Sequence, residues 1–184
     1  CEILFPTKGK NGAFQDHAFF EASSIRKVDG KYCFVYSSEH NHDLCYAMAD
    51  SPKGPFTYGG VLVDIGDLYL NGNEDETHAS NYLGNTHGEM LQIEDQWYIF
   101  YHRQTNRSSY ARQACAEKLE RRNDGGFQQA EITSCGLNQG ALKGIGFYEA
   151  RIACNLWSIN GTGRYDGKSP KQKLKDHPYF TQSG

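Results

Sequence analysis

Phe19-Phe20-Glu21-Ala22-Ser23-Ser24-Ile25-Arg26-Lys27 runs directly into Val28-Asp29-Gly30-Lys31-Tyr32-Cys33-Phe34-Val35-Tyr36-Ser37-Ser38. A strand-like piece, an Asp-Gly pair and an alternating aromatic run read as a β-hairpin, because Asp and Gly tolerate the positive φ of a tight turn. Glu21 is set among apolar residues at the start of the first strand. Beside Phe19 and Phe20 it would be desolvated, which favours the neutral carboxyl. A carboxyl kept protonated near neutral pH is what a general acid needs. A strand-edge glutamate facing water fits the same letters, and a single short motif does not separate the two readings.

A second stretch lies over the first without a gap. In His87-Gly88-Glu89-Met90-Leu91-Gln92-Ile93-Glu94-Asp95-Gln96-Trp97-Tyr98-Ile99-Phe100-Tyr101-His102, Glu21 falls on His87, Ile25 on Leu91 and Asp29-Gly30 on Asp95-Gln96. Tyr32 then falls on Tyr98 and Phe34 on Phe100, and Leu44-Cys45-Tyr46-Ala47 answers Ser108-Ser109-Tyr110-Ala111 further on. This is an internal repeat with a period longer than the roughly 40–50 residues of common propeller blades. A four-stranded antiparallel blade with one long loop fits it. Equivalent positions in a propeller face one axis, so Glu21 and His87 are expected to share a site. The alternative for His87 is a core imidazole satisfied by a backbone carbonyl.

These residues resemble the family 43 glycoside hydrolases, five-bladed β-propellers. The family's general-acid motif is a Glu opening a strand, followed by a hairpin of the form Asp-Gly-Lys-Tyr-Tyr-x-x-Tyr-Ser. Here it stands as Phe20-Glu21-Ala22 leading into Asp29-Gly30-Lys31-Tyr32-Cys33-Phe34-Val35-Tyr36-Ser37. Ser51-Pro52-Lys53-Gly54-Pro55-Phe56-Thr57-Tyr58 and Asn85-Thr86-His87-Gly88 are also similar to family segments, and the resemblance runs from about Phe19 to about Leu156.

The resemblance implies an all-β fold, part of a five-bladed propeller over 1–157, with 158–184 a linker or the start of a following β module. It implies inverting hydrolysis of arabinofuranosyl- or xylosyl-containing oligosaccharides or plant polysaccharides, with Glu21 as general acid. His87 would sit on the axis, binding substrate and holding a water or a calcium ion. Arg103, in Tyr101-His102-Arg103, would line the sugar cleft. No organic cofactor is implied. The family's base Asp and the second Asp that tunes the acid lie upstream by more residues than this chain has. The chain is therefore expected to need an N-terminal segment that completes the ring, and not to be a competent hydrolase alone. The rival class is a non-catalytic carbohydrate-binding or scaffolding propeller.

Composition is consistent with a turn-rich β protein, with 12 Tyr, 10 Phe and 20 Gly. The formal net charge of -3 gives no argument for nucleic acid or an anionic membrane. No apolar run approaches the ~20 residues that span a bilayer. The chain opens at Cys1 rather than Met, which leaves the compartment open. Cys1, Cys33, Cys45, Cys115, Cys135 and Cys154 are widely spread with no Cys-x-x-Cys pair, so zinc spacing is absent and reduced, buried thiols are expected.

The remaining polar stretches read as loops. Asp16 precedes the key stretch as a turn residue. His40 and His42 alternate with Asn41 and Asp43, but nothing in the sequence makes them converge on a cation. Asp64, Asp67, Glu74, Asp75 and Glu76 lie in the long loop before His87 without EF-hand spacing. Phe56–Tyr58 and Val61–Val63 are expected as a short strand pair around Gly59-Gly60. Ala111 to Leu119 is helical by propensity, but the repeat register makes it a strand. A hairpin-type turn is expected at Asp124-Gly125-Gly126-Phe127, and a closing strand at Phe147–Trp157. Asn106 and Asn160 head glycosylation sequons, short matches that carry little alone.

Overall fold

The computed structural model describes residues 14, 16–70, 73–74, 76–105, 108–133 and 136–137. The expected strand over Phe147–Trp157, the segment 158–184 and the sequon residues Asn106 and Asn160 lie outside them. Two antiparallel sheets account for the strands among the described residues. The first contains β1 (Phe19–Val28), β2 (Lys31–Ser38), β3 (Leu44–Ala49) and β4 (Thr57–Val63), hydrogen-bonded in sequence order. The second contains β5 (Gly88–Ile93), β6 (Gln96–Thr105) and β7 (Ser108–Leu119), also in sequence order. No α-helix occurs among the described residues; the sole helical piece is a 3₁₀ turn at Glu76–His78.

The first hairpin closes as its sequence demands. Asp29 has φ 49 and Gly30 φ 82, so both central residues take the positive φ of a turn whose twist matches the strands. The second turn is Glu94-Asp95, with Ile93 opposite Gln96. The gap-free repeat is therefore one residue out at the turn, where it laid Asp29-Gly30 on Asp95-Gln96. One residue changes the face on which a side chain lies. In strand terms Tyr32 answers Trp97 and Phe34 answers Ile99. Trp97, Ile99 and Tyr101 face the first sheet, while Phe100 on the other face is exposed.

The inner faces of the two sheets form one apolar layer. Val28, Cys33, Val35, Leu44, Tyr46 and Leu62 meet Met90, Trp97, Ile99, Tyr101 and Leu119. Phe127 plugs it, its ring edge-on to both Tyr46 and Trp97 at 5.6 Å, and its amide donates to the Tyr46 hydroxyl at 2.8 Å. The far face of the first sheet carries a second cluster of Phe14, Tyr36, Cys45, Ala47, Ala49 and Phe56. Cys33 and Cys45 are buried free thiols, as expected.

Two expectations need correction. Residues 57–63 form one strand, not a pair around Gly59-Gly60. Gly60, at φ 137, bends that strand at a bulge, and a Cβ on Gly59 would stand 2.2 Å from the Tyr46 ring. The second sheet has three strands among the described residues instead of four. Its turn at residues 122–126 is present, but Arg121–Phe127 is an isolated bridge, and residues 128–130 run back to the chain at Glu120 and Leu62. Ala111–Leu119 is strand, against its helix propensity, because every residue from Arg112 to Leu119 pairs with β6.

Candidate active site

Glu21 and His87 meet where the two sheets open. His87 Nε2 lies 2.7 Å from Glu21 Oε1, and their side chains are 40% and 42% exposed. Backbone pairing explains why. Glu21 stands opposite Ser37, and the His87 carbonyl accepts from the amide of His102 at 3.1 Å. Ser37 and His102 stand the same number of residues beyond their turns, so Glu21 and His87 hold equivalent ladder positions. The one-residue difference at the turns is absorbed by bulges in β1 on either side of Glu21, where Ala22 has φ 55. An alanine in the left-handed region marks a backbone bent on purpose, re-aiming the neighbouring side chain.

The sheets are tied beside this pair. The buried Ser37 hydroxyl donates to the Thr86 carbonyl. Arg26 of β1 pairs with Glu89 of β5 and donates to the Met90 carbonyl at 3.3 Å. An open groove lined by Ala22, Ser23, Ser24, His87, Gly88 and His102 runs along the junction. The apolar enclosure expected for Glu21 is absent: Phe20 is 47% exposed and leans against the His42 ring at a 36° tilt, with ring centroids 4.8 Å apart.

Sequence reasoning missed the residues behind His87. The His102 ring meets His87 edge-on at 5.1 Å. Arg112 Nε donates to His102 Nε2 at 3.0 Å, and the same guanidinium donates to Asn85 Oδ1 at 2.6 Å. The Asn85 amide in turn donates to His42 Nδ1 at 2.9 Å. A polar line thus runs from Glu21 through His87, His102, Arg112 and Asn85 to His42. Burial lowers the His102 pKa, and the charges of His87 and Arg112 add to the effect. Asn85 stood in a quoted motif and His102 in the repeat, but the pairing that joins them needs the register of β6 against β7.

Arg103 is not brought to this cluster. It is next to His102 in β6, so its side chain takes the opposite face. It is buried at 5% exposure, and its guanidinium donates to Gln113 Oε1 at 3.3 Å. The loop carboxylates also have local partners. Asp64 Oδ1 accepts from the Gly66 amide at 2.7 Å, and burial pushes its pKa up to about 6. Asp67 accepts from the Ile132 amide at 2.8 Å, and burial pushes it up to about 7. Asp16 is exposed.

The donor set at His87 does not by itself suit calcium. That ion takes six to eight oxygen ligands. Here the described residues offer one carboxylate, Glu21, already facing an imidazole.

Antiparallel sheets packed face to face, with a carboxylate and an imidazole at matched strand mouths, are the arrangement of neighbouring blades in a β-propeller. The chain is 45% identical over 157 residues to a xylosidase/arabinosidase of Thermoclostridium stercorarium, a match covering 84% of this chain and 33% of that protein. It is 39% identical over 87 residues to a beta-xylosidase of Xylanibacter ruminicola, covering 47% of this chain and 22% of the other. In structure it is similar to a family 43 arabinoxylan arabinofuranohydrolase from Bacillus subtilis, solved in complex with cellotetraose, with TM-score 0.51 and 24% identity over 65% of this chain and 26% of that one. No family model matches. The xylosidase/arabinosidase relatives, together with the fold shared with the Bacillus subtilis enzyme, support a place among the family 43 glycoside hydrolases. The chain spans about a third of the length of the Thermoclostridium relative.

Proposed function

We propose that the protein hydrolyses glycosidic bonds in arabinofuranosyl- or xylosyl-containing saccharides, with inversion at the anomeric carbon. Glu21 is the general acid. The observation that carries this reading is the 2.7 Å contact between His87 Nε2 and Glu21 Oε1 at the mouth of the inter-sheet groove. Relatives named xylosidase/arabinosidase and beta-xylosidase support the substrate class.

In this scheme an N–H on His87 Nε2 donates to Glu21 Oε1 and fixes the carboxyl plane. The proton on Oε2 is then free to pass to the leaving glycosidic oxygen. His102, held as a neutral ring by Arg112, backs His87 without adding a positive charge. The base is a second carboxylate on the opposite side of the sugar, ~6.5–9.5 Å from the acid as inversion requires, and we assign it to a segment outside this chain. Arg103 supports the inter-sheet layer, and the sugar contacts fall to His87 and the groove. No step is assigned to calcium.

The test is the stereochemistry of turnover by the full-length protein. Proton NMR during hydrolysis of a nitrophenyl β-xyloside or α-arabinofuranoside should show the inverted anomer first. First appearance of the retained anomer would overturn the mechanism. Saccharide binding without turnover of either glycoside would favour the non-catalytic reading.

A further inference from the structure

A second cluster of reactive side chains lies on the far side of the first sheet from β5. His17, just before β1, Asp43, at the β2–β3 corner, and Cys45, in β3, bring one ligand atom each within 4.8 Å of one another. Asp43 and Cys45 are separated by one residue, so they lie on one side of the chain. His17 joins them only because the segment before β1 folds over that corner. His40 closes the rim, its Nδ1 3.9 Å from Asp43 Oδ2. We propose that His17, Asp43 and Cys45 bind zinc or a chemically similar divalent cation, with a solvent molecule completing the four-coordinate shell.

Geometry supports a bound ion over a plain ion pair. His17 Nδ1 is 3.0 Å from Asp43 Oδ2, yet neither His17 Nδ1 nor His40 Nδ1 is in hydrogen-bond geometry with any partner, although both atoms are buried. Two buried imidazole nitrogens therefore converge on one buried carboxylate. Cys45 Sγ lies 3.6 Å from Asp43 Oδ1. Tetrahedral zinc with its usual bonds to nitrogen, oxygen and sulfur sets its ligands roughly 3.3–3.7 Å apart. Of the two ligand atoms facing the Asp43 carboxylate, Cys45 Sγ at 3.6 Å falls inside that range and His17 Nδ1 at 3.0 Å stands slightly closer.

The chemistry selects the metal class. Imidazole, thiolate and carboxylate together favour zinc and its neighbours over calcium or magnesium. The ligands are also held from behind. The Ser38 hydroxyl donates to Asp43 Oδ1, and the His17 ring stacks on Tyr58 at 5.2 Å and 8°. Such supporting contacts orient metal ligands. On binding, the Cys45 S–H bond breaks, a sulfur–metal bond forms and the proton leaves to solvent. The ion would clip the approach to β1, and so Glu21, to the β2–β3 corner.

The test uses the full-length, tag-free protein, stripped with chelator and then dialysed against zinc or cobalt. One zinc per chain is expected. The cobalt form should show a thiolate-to-cobalt charge-transfer band and tetrahedral ligand-field absorption. His17→Ala, whose folding is checked by circular dichroism, should weaken zinc binding at least tenfold and lose the tetrahedral cobalt spectrum. Cys45→Ser should lose the charge-transfer band. His87→Ala should bind zinc like the parent protein, which keeps this test independent of the catalytic reading. No zinc retained by the parent protein, or unchanged zinc affinity in a folded His17→Ala, would overturn the proposal. So would loss of zinc on His87→Ala alone.

Discussion

Arg112 Nε points at His102 Nε2, and a guanidinium has no lone pair to offer, so that imidazole nitrogen is the unprotonated one. The other ring nitrogen is left for the backbone of Asn85. Burial, then His87, then Arg112 lower the His102 pKa from its ordinary 6.5. A histidine lowered in the folded state contributes stability that is fully present above the ordinary pKa. That stability is lost as pH falls through the lowered value. Arg112→Met removes the guanidinium but keeps an apolar stem. The His102 ring resonances, followed by NMR, should then titrate at higher pH than in the parent protein. An unchanged midpoint would contradict the role given to Arg112. Arg103 teaches the complementary lesson. The sequence places it beside His102, but neighbours along a strand face opposite ways. Position along the chain therefore could not tell which of the two side chains faces His87.

The hairpins were legible in the sequence, because Asp29-Gly30 and alternating aromatic residues leave few other conformations for β1 and β2. So was β7, where the repeat outweighed helix propensity. The bulge at Glu21 was not legible. A gap-free alignment distributes one residue silently, and only the pairing of Glu21 with Ser37 and Ser24 with Val35 reveals where it went. Ala22 carries the local strain, at φ 55. Left-handed backbone costs an L-residue roughly 1–2 kcal/mol and costs glycine almost nothing. Ala22→Gly should therefore leave Tm unchanged or raise it slightly. Ala22→Val should lower Tm, and kcat should fall with it, as the branched side chain rejects that backbone and swings Glu21 away from His87. Differential scanning calorimetry and turnover by the two variants check this. Parental Tm and activity in the Ala22→Val protein would show that the bulge does not set the Glu21 geometry.

At the scale of the described fold, the apolar layer between the two sheets decides how they sit and therefore where their mouths meet. Met90 is at its centre, fully buried, with its sulfur 3.6 Å from Cys33 Sγ. Met90→Ala should destabilise the protein by about 2–5 kcal/mol, read from chemical unfolding, as expected for a large buried side chain cut back to a methyl. A change below about 1 kcal/mol would mean that the layer carries little of the stability. The repeat made Glu21 and His87 legible as a pair, since matched positions in stacked blades converge on one axis. It could not show the line through His102, Arg112 and Asn85, which depends on β6–β7 register. Nor could it show the convergence of His17 on Asp43 and Cys45, which depends on how the segment before β1 folds over the β2–β3 corner.

In the proposed mechanism Glu21 donates the proton to the leaving oxygen. Full-length Glu21→Gln, assayed on paired substrates, tests it directly. General-acid help is worth typically 10²–10⁴-fold, and a glycoside with a poor leaving group depends on it. A dinitrophenyl glycoside leaves with little protonation and depends on it hardly at all. Glu21→Gln should lose at least ~10²-fold on the unactivated xyloside or arabinofuranoside and keep near-parental kcat/KM on the dinitrophenyl substrate. Equal losses on both substrates, or equal retention on both, would contradict that mechanism.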